Sequence, residues 1–205
     1  MDLRMDLIHS PIGELHEHVE ANSLDIILTD PPYPKEFLHT WGDLATFSVH
    51  ALKEDGHLLA MSGHAWLPQV FELLTLDELN YQWTLEFRMR GLSSGCIGRR
   101  IARSFWKPIL WYTKGINRVY PMTDMIWGAG RDKNFHEWGQ SEESFHELLN
   151  RFVPPGSVVC DPFLGGGTTA VAAVDHGSHF VGADIEAECI AITKDRLAAY
   201  QTKFI

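Results

Sequence analysis

The run Asp161-Pro162-Phe163-Leu164-Gly165-Gly166-Gly167-Thr168-Thr169-Ala170 constrains the fold of this chain more than any other stretch. It follows a β-type run at 157–160 and opens a helix predicted over 167–176. Three glycines between strand and helix let the backbone turn tightly. They also let a ligand approach bare N–H groups at the helix N-terminus. Such a strand–loop–helix unit belongs in an α/β sandwich with a mostly parallel sheet, where ligands sit beyond the strand ends. The rest of the chain keeps that rhythm. Strands are predicted at 6–9, 24–29, 57–62, 82–89, 108–113 and 179–183, and helices at 12–20, 37–53, 67–76, 142–152 and 186–200. Residues 91–98, rich in Gly and Ser, are predicted to be a loop.

At 205 residues a single domain spanning 1–205 is expected. Apolar residues make up 45% and charged residues 21%, which excludes a disordered chain. No apolar run approaches the ~20 residues that span a bilayer, and the N-terminal residues lack a secretory leader pattern. Cys96, Cys160 and Cys189 show neither disulfide-framework nor zinc spacing, and His16, His18 and His136 form no ligand cluster. A cytoplasmic protein without a metal or a membrane partner is expected. The formal net charge is -10, yet residues 88–133 hold ten basic and only two acidic residues. That local surplus reads either as a phosphate-binding surface or as a basic face pairing with the protein's own acidic helices.

Asp184 lies 19 residues beyond Gly165, at the end of the next strand, where a carboxylate can accept from both hydroxyls of a ribose. Gly165-x-Gly167-x-x-Ala170 also fits a loose dinucleotide fingerprint, so a nicotinamide oxidoreductase is a rival reading. That rival needs more sheet after Asp184, where 21 residues remain. Asp161, at the strand end, suits a cationic or amine-bearing ligand and would repel a pyrophosphate. S-adenosylmethionine offers a ribose, an amino group and a sulfonium, and no phosphate.

A second motif, Thr29-Asp30-Pro31-Pro32-Tyr33, directly follows a buried strand. Two prolines fix φ and remove two N–H donors, leaving rigidly placed carbonyl acceptors. Asp30 adds a charged acceptor and Tyr33 a flat ring. Together they suit a planar group bearing –NH2, with stacking requiring the ring of Tyr33 and not its hydroxyl. A plain strand-terminating Pro-Pro turn is the bland alternative.

These two motifs resemble those of the DNA amino-methyltransferases, which methylate adenine N6 or cytosine N4. The resemblance covers nearly the whole chain. It implies a Rossmann-like methyltransferase sandwich in circularly permuted motif order, because the catalytic motif precedes the cofactor loop, as in the "beta" group. Asp30, Pro31, Pro32 and Tyr33 would then be catalytic. S-adenosylmethionine would be held by Asp161, Pro162, Phe163, Gly165, Gly166, Gly167, Thr168, Asp184 and Ile185, with Gln140 and Ser141 near its methionine end. Asp at the first motif position favours adenine; cytosine-N4 enzymes more often carry Ser there. No Pro-Cys nucleophile pair is present, which fits direct transfer without a covalent enzyme intermediate. DNA is the implied partner, and a second copy of the chain is a candidate one. Within the basic segment 88–135, Arg88, Arg99, Arg100, Arg103 and Lys107 are candidate nucleic-acid contacts, and Phe105 or Trp106 a candidate wedge at a flipped base. The twenty residues between Gly115 and His136 leave little room for a separate recognition domain. A nucleic-acid-binding module with a dead site would lack an intact Asp30 and Tyr33.

Overall fold

Central strands buried in continuous apolar runs, on both faces, place one sheet at the centre of the structure, a computed structural model describing residues 3–89, 104–115, 122–128 and 142–202. Eight strands form it: β1 (Met5–His9), β2 (Leu24–Thr29), β3 (Leu52–Met61), β4 (Leu79–Met89), β5 (Trp106–Lys114), β6 (Met125–Gly128), β7 (Val158–Asp161) and β8 (His179–Asp184). Their order is β1-β8-β7-β2-β3-β5-β4-β6. Every described pairing is parallel except those of β5, which runs antiparallel to both β3 and β4. The expected α/β architecture with a mostly parallel sheet is therefore what the chain adopts.

Side chains two apart share a face, and the two faces carry separate cores. Ile26, Leu28, Leu59, Met61, Ile109 and Trp111 pack with α3 (Glu142–Phe152), α4 (Thr168–His176) and α5 (Ala187–Thr202). Their neighbours Ile27, Leu58, Ala60, Leu110 and Tyr112 pack with α1 (His39–Ala51) and α2 (Leu67–Leu73). Each Leu- or Ile-sized side chain so buried contributes about 1.5–3 kcal/mol. No helix among the described residues is long and apolar enough to cross a membrane.

Four local expectations change. The helix predicted at 12–20 is a short 3-10 helix, Ile12–Glu17, in which Ile12 and Leu15 are buried; their three-residue spacing suits its turn. The helix predicted from 37 begins at His39, after a 3-10 turn at Lys35–Phe37, and stops at Ala51. Beyond it the chain goes straight into β3, five residues before the strand predicted at 57–62, and Asp55-Gly56 forms an irregularity within it. The register jumps there from Leu24↔Leu52 to Ile26↔His57, and Asp55 takes a φ of 66°. Strand β6 was not expected, because four residues show no readable period. The loop predicted at 91–98 lies outside the described residues.

Lys114 turns inward. Its ammonium donates to the Val49 and Leu52 carbonyls at 2.7 and 3.1 Å and to Asn22 Oδ1 at 2.6 Å. A cation at the C-terminus of α1 meets orphan carbonyls and the negative end of the helix dipole. Lys114→Met should therefore cost about 1–3 kcal/mol in urea denaturation; an unchanged midpoint would show that water replaces the ammonium without loss.

Candidate active site

The sheet has its topological switch point between β7 and β2. Helix α4 follows β7 onto one face, whereas α1 follows β2 onto the other. The chain thus leaves a crevice beyond these two adjacent strand ends. Both motifs begin at those strand ends. Val159 and Cys160 pair with Ile26 and Ile27, so the end of β7 meets the end of β2.

Asp161 joins the two ends. Its Oδ1 accepts from the Thr29 hydroxyl at 2.7 Å and from the Phe163 N–H at 3.1 Å, and its Oδ2 accepts from the Thr169 hydroxyl at 2.5 Å. The residue is 4% exposed. Burial raises its carboxyl pKa to about 6, against the opposing pull of these three hydrogen bonds. Asp161, expected to face a ligand, accepts from three protein donors here and holds the residue before Asp30 against the first turn of α4.

The glycine loop is tied down from three sides. Gly165 and Gly167 sit at positive φ, 49° and 77°. A Cβ on Gly167 would fall 2.5 Å from Thr193 Oγ1, so α5 requires glycine there, while one on Gly165 would meet only the Phe163 carbonyl oxygen, at 4.0 Å. Gly165 N–H donates to Asp184 Oδ2 at 2.8 Å, and Glu186 N–H to Asp184 Oδ1 at 2.9 Å. Arg196 donates to the Gly166 carbonyl and, at 2.6 Å, to Glu142 on α3. Asp184 is partly exposed beside Gly165, and Ile185, 64% exposed, follows it. Phe163 and Thr168 are partly buried and Pro162 is buried. A half-exposed carboxylate next to bare backbone and an apolar side chain fits a nucleoside with ribose hydroxyls.

Beyond β2, Pro31 is buried and Asp30, Pro32 and Tyr33 are half-buried. The Tyr33 hydroxyl donates to Asp30 Oδ1. Burial, then the Asp30 charge, then that hydrogen bond hold the phenol pKa well above its usual value, so it stays a proton donor. Lys107 reaches the same place: its Nζ donates to the Tyr33 hydroxyl at 2.9 Å and lies 3.5 Å from Asp30 Oδ2. Lys107, expected as a nucleic-acid contact, lies in this cluster because its antiparallel strand delivers it to the same edge as the ends of β2 and β7. The Tyr33 hydroxyl, expected to be dispensable, is bonded on both sides.

The remaining expected residues divide. Arg88 lies on the surface, 5.2 Å from the Trp127 ring centroid and 4.0 Å from Glu86. Phe105 is 55% exposed, whereas the Trp106 ring meets His64 edge-on, with centroids 4.6 Å apart. Gln140, Ser141, Arg99, Arg100 and Arg103 lie outside the described residues. No group of three or more His, Cys, Asp or Glu among the described residues could hold a metal ion. Sequence reading missed Thr29, Thr169 and Arg196 as parts of the site; hydroxyls and an arginine at helix spacing carry no signal of what they will meet.

A DNA methylase family model of N6 and N4 methyltransferases matches residues 113–195. YubD of Escherichia coli (strain K12), assigned as a methylase, is 30% identical over 202 residues, covering 88% of this chain and 85% of YubD. The fold is similar to that of M1.HpyAVI, solved in complex with SAM, at a TM-score of 0.74 and 18% identity over 94% of this chain and 99% of that one. It is also similar to the cytosine-N4-specific PvuII DNA methyltransferase, at 0.79 and 16% identity over 94% and 86%.

The buried Asp161 predicts a pH signature. Its folded carboxyl takes up a proton more readily than the unfolded one, so its effect on stability is most favourable below about pH 4. That contribution is lost as pH rises through about 6, by on the order of 2–3 kcal/mol. His57, whose pKa burial lowers to about 4, acts oppositely over an overlapping window. The stability difference between the wild type and Asp161→Asn, measured in urea from pH 4 to 7, should therefore slope; a flat difference would mean that Asp161 keeps an ordinary acidity.

Proposed function

The chain belongs to the family of N6 and N4 DNA methylases, and we propose that it transfers the methyl group of S-adenosylmethionine to the exocyclic N6 of a flipped-out adenine in DNA. The observation that carries this reading is the Asp161 bridge. It holds an acceptor cluster for an amine, Asp30-Pro31-Pro32-Tyr33, beside a glycine loop with a ribose-suited carboxylate, Asp184. Gly165, Gly166, Asp184 and Ile185 would hold the nucleoside end, with Pro162, Phe163, Gly167 and Thr168 shaping the loop. Gln140 and Ser141 would lie toward the methionine end. When bound, S-adenosylmethionine supplies an electrophilic methyl on a sulfonium, which departs as a neutral thioether.

The residues of the chain prepare the other reactant. An adenine amine is a poor nucleophile because its lone pair is delocalised into the ring. Hydrogen bonds from its two protons to the Asp30 carboxylate and the Pro31 carbonyl favour a pyramidal nitrogen with its lone pair turned to the methyl. The N–C bond then forms as the S–C bond breaks, and the excess proton leaves the nitrogen toward Asp30 and water. Holding both reactants together supplies much of the rate effect. Flipping the base costs a few kcal/mol, and stacking on Tyr33 recovers roughly 1–3 kcal/mol of it.

Asp at position 30 supports adenine; cytosine N4 is the second reading, in keeping with the likeness to the PvuII fold. The order of the two motifs supports the permuted "beta" arrangement in one domain. Arg88, Arg99, Arg100 and Arg103 would contact phosphates, with Phe105 the exposed aromatic near the site. With so few residues between Gly115 and His136, a second copy of the chain is the candidate source of further base contacts.

Asp30→Ala should abolish methylation while S-adenosylmethionine still binds within a few-fold, whereas Asp184→Ala should weaken that binding by about 1.5–3 kcal/mol per lost hydrogen bond. Calorimetry and transfer assays separate the two. Wild-type turnover by Asp30→Ala would refute the catalytic assignment. Incubation of mixed-sequence DNA with the enzyme and S-adenosylmethionine, followed by nucleoside analysis, should yield N6-methyladenine; N4-methylcytosine instead would select the second reading.

A further inference from the structure

Lys107 lies 77 residues from Asp30 in sequence, yet its Nζ is 2.9 Å from the Tyr33 hydroxyl and 3.5 Å from Asp30 Oδ2. Its side chain is only 19% exposed and that of Asp30 26%, so this is no solvated surface pair. The sheet explains the meeting. Strand β5 is antiparallel to β3, pairing Met61 with Ile109, and Ser62 N–H donates to the Pro108 carbonyl at 2.9 Å. The start of β5 therefore lies at the edge where β2 and β7 end. His64 Nε2 holds that start through the Trp106 carbonyl at 3.0 Å. On the other side Gly63 lies against Tyr33, where an added Cβ would stand 3.5 Å from the ring.

We propose that Lys107 is a positioning residue for methyl transfer, holding the Tyr33 hydroxyl and the Asp30 carboxylate in the arrangement that receives the target amine. The inference rests on the reading of Asp30 as the amine acceptor. A tyrosine oxygen that accepts from an ammonium must turn its own proton elsewhere, and here it turns to Asp30 Oδ1. That fixes the carboxylate's rotation. Oδ2 lies 3.5 Å from the ammonium. Lys107 does not stabilise the reacting charge. The amine nitrogen gains positive charge as its bond to the methyl forms, which a nearby ammonium opposes and a carboxylate favours. The contribution of Lys107 is geometric and passes through Tyr33.

The test is a double-mutant cycle on the full chain, with DNA and S-adenosylmethionine as substrates. Lys107→Met should lower kcat roughly ten- to a hundredfold with the KM for DNA within about threefold, because misplacement of a reacting group is costly. The salt dependence of DNA binding should be unchanged, since no phosphate contact is lost. Tyr33→Phe should lower kcat similarly, and the double variant should fall no more than a few-fold further, because both break one chain of contacts. Lys107→Arg should retain more of the rate than Lys107→Met. Fully additive losses, a wild-type kcat in Lys107→Met, or a lower salt slope with kcat intact would overturn the proposal. If Lys107→Met fails to fold, Lys107→Gln carries the same cycle. A wild type that transfers no methyl to DNA would instead remove the reading on which the proposal stands, and the proposal with it.

Discussion

One buried carboxylate, that of Asp161, determines how the two working parts of this protein meet. Placing a charge at 4% exposure is costly unless donors surround it, and three do: two hydroxyls and one backbone N–H. Each donor comes from a different part of the site. Thr29 ends β2 and precedes Asp30, Phe163 lies in the glycine loop, and Thr169 stands in the first turn of α4. Satisfying one charge therefore fixes the distance between the Asp30-Pro31-Pro32-Tyr33 turn and the glycine loop. A pKa pushed up to about 6 is the residual strain of that arrangement.

From this bridge outward, the loop is shaped by what it touches. Gly167 is required because α5 comes too close for any side chain, whereas a Cβ on Gly165 would meet only the Phe163 carbonyl at 4.0 Å, and its positive φ is what favours glycine there. Arg196 adds a third tie, linking α5 to the loop carbonyl and to α3. The result is a preorganised cradle whose acidic residue already holds two backbone N–H groups in place. Less has to be ordered when a nucleoside arrives.

The basic residues show how little charge counting says about destination. Lys107 and Lys114 belong to the same strand and to the same basic stretch, and both turn inward for different purposes. Lys114 closes the C-terminus of α1. Lys107 reaches the half-buried pair Asp30 and Tyr33. Arg88 remains at the surface beside Trp127. A surplus of positive charge in a segment is thus divided among a helix C-terminus, a half-buried polar cluster and the surface. The segment's sum describes none of them.

Sequence by itself determined the elements that rest on local chemistry. Glycines between a strand and a helix, and prolines after a short apolar run, act over a few residues, so 157–176 and 24–33 were legible as strand, loop and helix and as strand and turn. Tertiary structure alone decided the rest. The start of β3 and the 3-10 form at Ile12–Glu17 depend on pairing and packing with distant segments. The contacts of Asp161 with Thr29 and of Lys107 with Tyr33 span 132 and 74 residues. Such contacts arise from strand order and direction, which no local pattern encodes: β7 lies beside β2, and β5 runs backward to bring its first residues to the edge where the others end.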